Sequence, residues 1–179
     1  MKKQARTKAP SRSPKEVGVR YKTLNDLPER SRAELNMLIN QRLADAIDLH
    51  MQMKQAHWNV KGPNFIGLHE LFDKIHEATG EYVDTIAERA VQLGSVAEGT
   101  VRLSAKRSRL PEYPTSISEG PAHVNAVSEA LAAFGHEARQ SIDQAEQLND
   151  ADTADIFTEV SRGIDKWLWF VEAHAQATK

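Results

Sequence analysis

Residues 57–88 read HWNVKGPNFIGLHELFDKIHEATGEYVDTIAE and place two imidazoles and three carboxylates at regular spacing. These candidate ligands are His57, His69, Asp73, Asp84 and Glu88. His69 and Asp73 lie four residues apart, as do Asp84 and Glu88, so each pair occupies one face of a helix, one turn apart. A mixed set of nitrogen and oxygen ligands suits iron, zinc or manganese. The segment therefore predicts a helical metal-binding element.

The distance between the two pairs indicates whether one helix could hold both of them at a single metal. If residues 65–93 form one helix, the eleven residues from Asp73 to Asp84 turn the chain by about 1,100°, so the two side chains share a face. They also lie about 16 Å apart along the axis. Because metal–ligand bonds are only about 2 Å long, one straight helix cannot close a single site with both pairs. A second copy running antiparallel could oppose one pair to the other, which suggests a metal site between subunits.

The segment HWNVKGPNF at residues 57–65, together with His69, Asp73 and the run DTIAERAVQLG at residues 84–94, closely resembles the Dps family of mini-ferritins. The runs DADTADIF (residues 150–157) and DKWLWFVEAH (residues 165–174) resemble the same family, and the similarity covers about residues 22–175. The resemblance implies a hollow dodecamer of four-helix subunits. It also implies the activity of that family, whose members oxidise Fe(II), preferably with hydrogen peroxide, and store the product as ferric mineral.

The resemblance also assigns roles to the candidate ligands. His57, His69 and Asp73 of one subunit, with Asp84 and Glu88 of its two-fold mate, are expected to form a ferroxidase site. Such a site holds at most two irons, Fe(II) before and Fe(III) after oxidation, and zinc is a possible substitute. Ordinary ferritins use Glu-x-x-His motifs within one subunit, and no Glu in this chain stands three residues before a His.

Composition limits the class of protein. At 179 residues, with 40% hydrophobic and 27% charged residues, the chain is expected to form one globular domain with a sizeable core. Cysteine is absent, which excludes disulfides, thiolate zinc sites and cysteine nucleophiles. No apolar run approaches the roughly 18 residues of a membrane span, and the N-terminus lacks the apolar segment of a secretory signal. We therefore expect a cytoplasmic protein without a membrane partner.

Charge divides the chain into a basic N-terminal arm and an acidic remainder. Residues 1–22 contain eight Lys and Arg against Glu16 alone, a net charge of +7, whereas the other 157 residues contain 15 Lys and Arg against 24 Asp and Glu, a net charge of −9. Residues 1–21 are predicted to be a disordered tail, and residues 22–179 a bundle domain. The tail either solubilises the protein or binds double-stranded DNA through phosphates without sequence preference, which would associate the protein with the nucleoid. The candidate DNA-binding residues are Lys2, Lys3, Arg6, Lys8, Arg12 and Lys15.

Helical periodicity along four long segments predicts an all-α fold. The first helix is expected from near residue 28 to residue 58, with Ser31-Arg32-Ala33-Glu34 matching the spacing of a capping box. The second is expected from a cap at Asn64 to Gly94, and Gly80 inside it suggests a close packing contact. Each long helix is expected to contain 24–29 residues.

The third and fourth helices are expected over about residues 121–148 and 152–175. Residues 95–120 contain Gly99, Pro111, Pro114 and Gly120 and form a long connection with room for a short helix near residues 100–107. Four long helices with one long crossover form the ferritin-like bundle topology.

For several other residues the sequence allows two interpretations. His76, seven residues after His69, is an accessory ligand or a surface residue. Trp58 is an interface aromatic or an electron donor close to iron. Asp152 and Asp155 either favour the start of a helix or, as the resemblance implies, line three-fold pores that carry Fe(II) inward. The remaining histidines show no ligand spacing and are interpreted as structural: His50, His123, His136 and His174.

Three functions compete at this stage. The first is a ferroxidase and iron store that also coats DNA and protects it from oxidative damage. The second is an architectural protein that compacts the nucleoid with vestigial iron chemistry, against which the five-residue ligand set argues. The third is a monomeric bundle whose His and acidic residues serve packing alone.

Overall fold

Four long helices and one short helix account for most of residues 20–176, the part of the chain that this computed structural model describes. The helices are α1 (Glu29–Asn59), α2 (Phe65–Gln92), α3 (Val101–Arg107), α4 (Gly120–Gln147) and α5 (Ala151–Glu172). No strand occurs within these residues. The predicted all-α, ferritin-like bundle is therefore confirmed, including the short helix in the crossover.

The two helical hairpins, α1–α2 and α4–α5, pack side by side as a bundle. The crossover between α2 and α4 runs along α1, against which α3 packs, and returns the chain to the end of the bundle where α2 begins. That end is closed by backbone hydrogen bonds, because Lys61 N–H donates to Ser118 C=O (2.8 Å) and Gly120 N–H donates to Lys61 C=O (3.1 Å). Helix α4 therefore runs parallel to α2 and antiparallel to α1.

A single apolar core fills the space between the four long helices. Its largest side chains include Phe72 of α2, Phe134 of α4 and Phe157 of α5, all fully buried in the same cluster as Leu35 and Leu43 of α1. Each such side chain contributes roughly 1.5–3 kcal/mol of transfer free energy. Within residues 20–176, no helix is both long and apolar enough to span a lipid bilayer.

Polar side chains on α1 hold the crossover in place. Asn40 donates to Val96 C=O (3.2 Å) and accepts from Glu98 N–H (2.8 Å). Farther along α1, Asp45 accepts from Arg109 N–H (2.8 Å), and Gln52 donates to Pro111 C=O (3.0 Å). A long connection exposes backbone groups that regular structure would otherwise satisfy, and these side chains satisfy them instead.

Two long helices end in the same way. Gly94 follows α2 with φ +82°, Gly94 N–H bonds to Val91 C=O, and Ser95 N–H bonds to Ala90 C=O, which is a Schellman motif. Asn149 takes the equivalent place after α4 with φ +59°. The predicted stop at Gly94 is confirmed, and its reason is the left-handed backbone that glycine adopts at little cost.

The predicted helix starts are partly confirmed. Helix α1 begins at Glu29 after Pro28, as expected, whereas the Ser31 capping box is not formed and Glu34 accepts from Arg30 (3.0 Å). Asn64 precedes α2 as predicted, but its side chain caps no N–H. Helix α1 has 31 residues and α5 has 22, outside the expected 24–29.

A buried ion pair joins the end of α2 to the start of α5. Arg89 donates to Asp150 (2.7 Å) and to the Thr153 hydroxyl (2.9 Å), and all three side chains are almost fully buried. Asp150 also caps α5 by accepting from Thr153 N–H (3.2 Å). Although burial opposes ionisation, hydrogen bonds from Thr153 and Arg89 hold the pKa of Asp150 below its ordinary value. The network fixes the turn that carries Asp152.

Candidate metal centre

The tight turn between α1 and α2 sets the two helices against each other. Gly62 has φ +111°, which residues with a Cβ rarely adopt, and its carbonyl accepts from Phe65 N–H (3.0 Å). The chain thereby reverses within residues 60–64. As a result, His57 at the end of α1 lies directly across from His69 in the first turns of α2.

His57 and His69 bind each other's backbone. His57 Nδ1 donates to His69 C=O (2.8 Å), and His69 Nδ1 donates to His57 C=O (2.8 Å). The rings stack with centroids 3.7 Å apart and planes inclined by 23°. Because a carbonyl oxygen only accepts, each Nδ1 must carry the hydrogen, and in the neutral ring the lone pair is then on Nε2. This tautomer presents Nε2 as a metal ligand, with the backbone carbonyl as its orienting partner.

Asp73 lies one turn after His69 and is already paired with a cation. Its carboxylate is 3.9 Å from His57 Nδ1 and accepts a short hydrogen bond from the Lys54 ammonium. That hydrogen bond is the main reason why the pKa of Asp73 lies below its ordinary value. The carboxylate is therefore ionised at neutral pH, as a metal ligand must be, but an incoming cation has to compete with Lys54.

Asp84 and Glu88 do not lie close to the other three candidate ligands of the same chain. Both lie exposed on α2, and about 16 Å of helix separates Asp73 from Asp84. Within residues 20–176 of one chain, no group of three or more His, Asp or Glu side chains is arranged to hold a metal ion. The single subunit thus carries two separated partial ligand sets, His57–His69–Asp73 and Asp84–Glu88.

A second histidine pair repeats the first. His50 Nδ1 donates to His76 C=O (2.9 Å), and His76 Nδ1 donates to His50 C=O (2.8 Å). The rings stack at 3.6 Å between centroids, with planes inclined by 21°. Burial, and then the neighbouring His76, lower the pKa of His50. His50 was interpreted as structural because it shows no ligand spacing, and its stacking partner His76 lies on another helix.

The comparisons with known proteins agree with this architecture. The model of the ferritin-like domain family matches residues 36–179. A DNA protection during starvation protein from Agrobacterium fabrum is 44% identical over 156 residues, 87% of this chain and 96% of the relative. A protein of the same name from Mycolicibacterium smegmatis is 32% identical over 155 residues, 87% of this chain and 84% of the relative. Among solved structures, DpsC from Streptomyces coelicolor superposes with a TM-score of 0.86 at 30% identity, covering 94% of this chain and 98% of that one.

The chain belongs to the Dps family of ferritin-like proteins. The family resemblance noted in the sequence is therefore confirmed. As a Dps protein, it carries the candidate ligands on the outward face of the α1–α2 hairpin and leaves the opposite face of that hairpin to the bundle core.

Other candidate residues of this Dps protein lie on its surface. Trp58 is 60% exposed and lines an open groove of about 660 Å³ between α1 and α3, beside Met51 and Val101, which are also exposed. This location favours the interface interpretation of Trp58. Asp152 and Asp155 are exposed at the start of α5, where Asp152 lies 3.7 Å from Arg89. The candidate DNA-binding cations, Lys2, Lys3, Arg6, Lys8, Arg12 and Lys15, lie outside the described residues.

Sequence reasoning missed Lys54. It lies three residues before His57, so the two side chains share a face of α1, and that spacing could have indicated a cation beside the predicted site. Its pairing with Asp73 depends on how α1 and α2 meet, which the spacing within α1 does not specify.

Replacing Lys54 with Gln should tighten Co(II) binding at the His57–His69–Asp73 set about threefold to tenfold. The variant removes both the competing hydrogen bond to Asp73 and a positive charge, an effect on the order of 1 kcal/mol at a half-exposed site. Isothermal titration calorimetry on the assembled protein measures the change. Lys74→Gln is the matched control, since Lys74 is exposed on α2 and its loss changes the net charge equally. Weaker binding in the Lys54 variant would mean that Lys54 supports the site.

Proposed function

We propose that this Dps protein oxidises Fe(II) with hydrogen peroxide, stores the ferric product inside a hollow dodecamer, and binds DNA non-specifically, thereby protecting it from oxidative damage. The observation that carries the proposal is the reciprocal His57–His69 pair with Asp73 beside it. Two pre-oriented imidazoles and an ionised carboxylate, accessible from outside the bundle core, suit Fe(II). The names of its relatives support the protective role.

The donor set also favours the oxidised product. Carboxylates stabilise the higher charge of Fe(III), so Asp73, Asp84 and Glu88 make loss of an electron from iron easier. In the reaction, two Fe(II) each lose one electron and the O–O bond of hydrogen peroxide breaks. With two protons, both oxygen atoms leave as water. Five protein ligands for at most two irons leave coordination positions open to the oxidant.

The arrangement of ligands in one chain supports a site shared between two subunits. Where two copies of a helix pack antiparallel about a two-fold axis, residues that face each other have residue numbers with a constant sum. The numbers 69 and 88 have the same sum as 73 and 84, so one register of two α2 helices places His69 opposite Glu88 and Asp73 opposite Asp84. Each two-fold contact then forms two equivalent sites. Zinc could occupy them as a substitute for iron, because it accepts the same ligand types.

The shared site predicts complementation between two inactive variants. His57→Ala and Asp84→Ala should each reduce rapid peroxide-dependent Fe(II) oxidation by at least about a hundredfold, since each removes a direct ligand. When the two variants are refolded together, some two-fold contacts pair an intact His57 half with an intact Asp84 half. Stopped-flow absorbance of Fe(III) formation should therefore show partial recovery of activity.

Tagging each variant differently and purifying particles that carry both tags provides the control. Mixed particles without any recovered activity would contradict the intersubunit site. Wild-type particles that fail to oxidise two Fe(II) per peroxide would instead favour the architectural function. Elution near 20 kDa on size exclusion, rather than near twelve times that mass, would revive the monomeric bundle.

Asp152 and Asp155 are proposed to attract Fe(II) on its way to the interior. Both are exposed at the start of α5, close to the acidic turn that includes Asp150. Three copies around a three-fold axis would concentrate negative potential at a pore. Glu146 lies in the last turn of α4 on the same side and adds to this potential.

Replacing Asp152 and Asp155 together with Asn should slow Fe(II) uptake about threefold to tenfold at low salt, because the pore loses its attraction for cations. Mineral growth is followed by absorbance under limiting iron. Glu129→Gln/Glu159→Gln removes two exposed charges elsewhere on α4 and α5 and is the matched control. Equal uptake by both double variants would remove Asp152 and Asp155 from the pathway.

The basic arm is proposed to bind DNA through phosphates. The rest of the chain carries a net charge of −9 and would repel DNA, so attraction has to come from the cations of residues 1–22. Twelve arms on one particle would add avidity that a single arm lacks. The proposed binding would associate the protein with the nucleoid.

Deleting residues 2–19 should abolish retardation of duplex DNA and leave the rate of Fe(II) oxidation close to wild type. The deletion removes the six candidate cations but keeps Arg20, whose backbone N–H bonds to Gly94 C=O (2.8 Å). Electrophoretic mobility shift at several salt concentrations measures the effect. Binding by the full-length protein should fall steeply with salt and be indifferent to sequence.

A full-length variant with Gln at the same six cations separates charge from chain length. It should behave like the deletion. If either variant retards DNA as well as wild type, the arm only solubilises the protein. A strong preference for one DNA sequence would contradict binding through phosphates.

A further inference from the structure

The His50–His76 pair reproduces the His57–His69 pair one heptad away along both helices. His50 lies seven residues before His57 on α1, and His76 lies seven residues after His69 on the antiparallel α2. The hydrogen bonds from Nδ1 to the opposite backbone agree within 0.1 Å (2.8–2.9 Å against 2.8 Å), and the stacking distances are 3.6 and 3.7 Å. Both rings are therefore held in the tautomer that carries its lone pair on Nε2.

These two Nε2 atoms have no hydrogen-bond partner in the part of the chain that the structure describes. His50 additionally contacts the Thr79 hydroxyl through Nδ1 (3.4 Å), so all its hydrogen bonds involve the same nitrogen. If the pair only fastened α1 to α2, one ring could do so without stacking a second on it. Two acceptor nitrogens held in this way, in half-buried rings, suit a cation as their shared partner.

The glycine in the middle of α2 makes room for this pair. A Cβ added at Gly80 would lie 3.3 Å from His50 Cε1 and 3.7 Å from Nδ1. Cε1 is bonded to Nε2, so a Cβ at residue 80 would lie next to the ring nitrogen of His50 that makes no hydrogen bond to the described residues. Glycine costs about 1 kcal/mol relative to alanine inside a helix, and the expected close contact at Gly80 is confirmed as contact with a histidine ring.

The antiparallel register of the proposed ferroxidase site also identifies what faces this pair, so this step rests on the proposed function. That register brings together α2 residues whose numbers add up to 157, because 69 meets 88 and 73 meets 84. Residue 76 then meets Glu81 of the partner subunit. Glu81 is exposed on the isolated chain and would supply a carboxylate opposite the two imidazoles.

We propose that His50 and His76, completed by Glu81 of the partner subunit, form a further divalent transition-metal site in each subunit, so that each two-fold contact holds two such sites between its two ferroxidase centres. Two imidazoles and one carboxylate suit Zn(II), Co(II) or Fe(II), and they suit Mg(II) or Ca(II) poorly. Water fills the remaining coordination positions. The site binds a metal and involves no change in oxidation state.

Co(II) titration of the assembled full-length protein tests the site, because Co(II) bound to imidazole gives visible absorption bands. Under anaerobic conditions, His50→Gln/His76→Gln should bind about one Co(II) fewer per subunit than wild type, with matching loss of absorbance. His136→Gln, which changes an exposed histidine on α4, is the control and should bind the wild-type number. An unchanged number and spectrum in the double variant would overturn the proposal and leave the pair as a structural clip.

Two further variants act without removing a histidine from the fold. Gly80→Ala strengthens the helix but crowds His50, so Co(II) affinity at this site should fall about tenfold while thermal stability is kept. Glu81→Gln should weaken the same site at least about tenfold, whereas Glu129→Gln should not. Wild-type Co(II) affinity in Glu81→Gln would overturn the contribution of the partner subunit.

The failure of this proposal is distinguishable from failure of the ferroxidase. In His57→Gln/His69→Gln, the Co(II) bound by the His50–His76 pair should remain while peroxide-dependent Fe(II) oxidation is lost. If oxidation persists in that variant, the proposed ferroxidase centre is wrong, whatever the His50 variants bind. If Co(II) absorbance from the second site disappears in it, the two pairs form one site and the second site is overturned.

Discussion

The hydrogen bonds by which histidine rings of α1 and α2 bind each other's backbone are the interaction on which the site depends. Each pair ties the two helices together from both directions, and each bond requires a hydrogen on Nδ1. The same contact therefore performs two tasks. It fixes the register of the hairpin, and it leaves Nε2 of each ring as the atom that can bind a metal.

A second constraint is that one chain cannot complete the site. About 16 Å of helix α2 separates Asp73 from Asp84, whereas metal–ligand bonds are about 2 Å long. No described group of three ligands forms within the subunit, and Asp73 is occupied by the Lys54 ammonium. The proposed chemistry is therefore confined to particles in which two subunits meet, because only there can all five candidate ligands come together.

The distribution of charge suits the two proposed partners. The net negative charge of the bundle domain suits Fe(II), and the net positive charge of the preceding arm suits DNA. Joining the two functions in one chain places the proposed iron chemistry beside the molecule that free iron and peroxide would damage. The buried Arg89–Asp150 ion pair holds the acidic start of α5 in place and adds no net charge to the bundle domain.

The sequence by itself determined the helices, the crossover and the five candidate ligands. Helical periodicity is a local property, and Gly62 and Gly94 mark turns that need backbone conformations unfavourable to other residues. The eleven-residue separation of Asp73 and Asp84 was sufficient to exclude a site within one straight helix. The start of α1 near Pro28 was also predictable, whereas the capping box that the spacing at Ser31 suggested is not formed.

The tertiary structure alone decided which side chains on different helices meet. His50 and His76, like Lys54 and Asp73, belong to α1 and α2, and their pairing depends on the rotation and offset of one helix against the other. Spacing within one helix fixes only which residues share its face. The offset between helices is set by the packing of the whole core and by the turn at residues 60–64, so no local pattern reveals it.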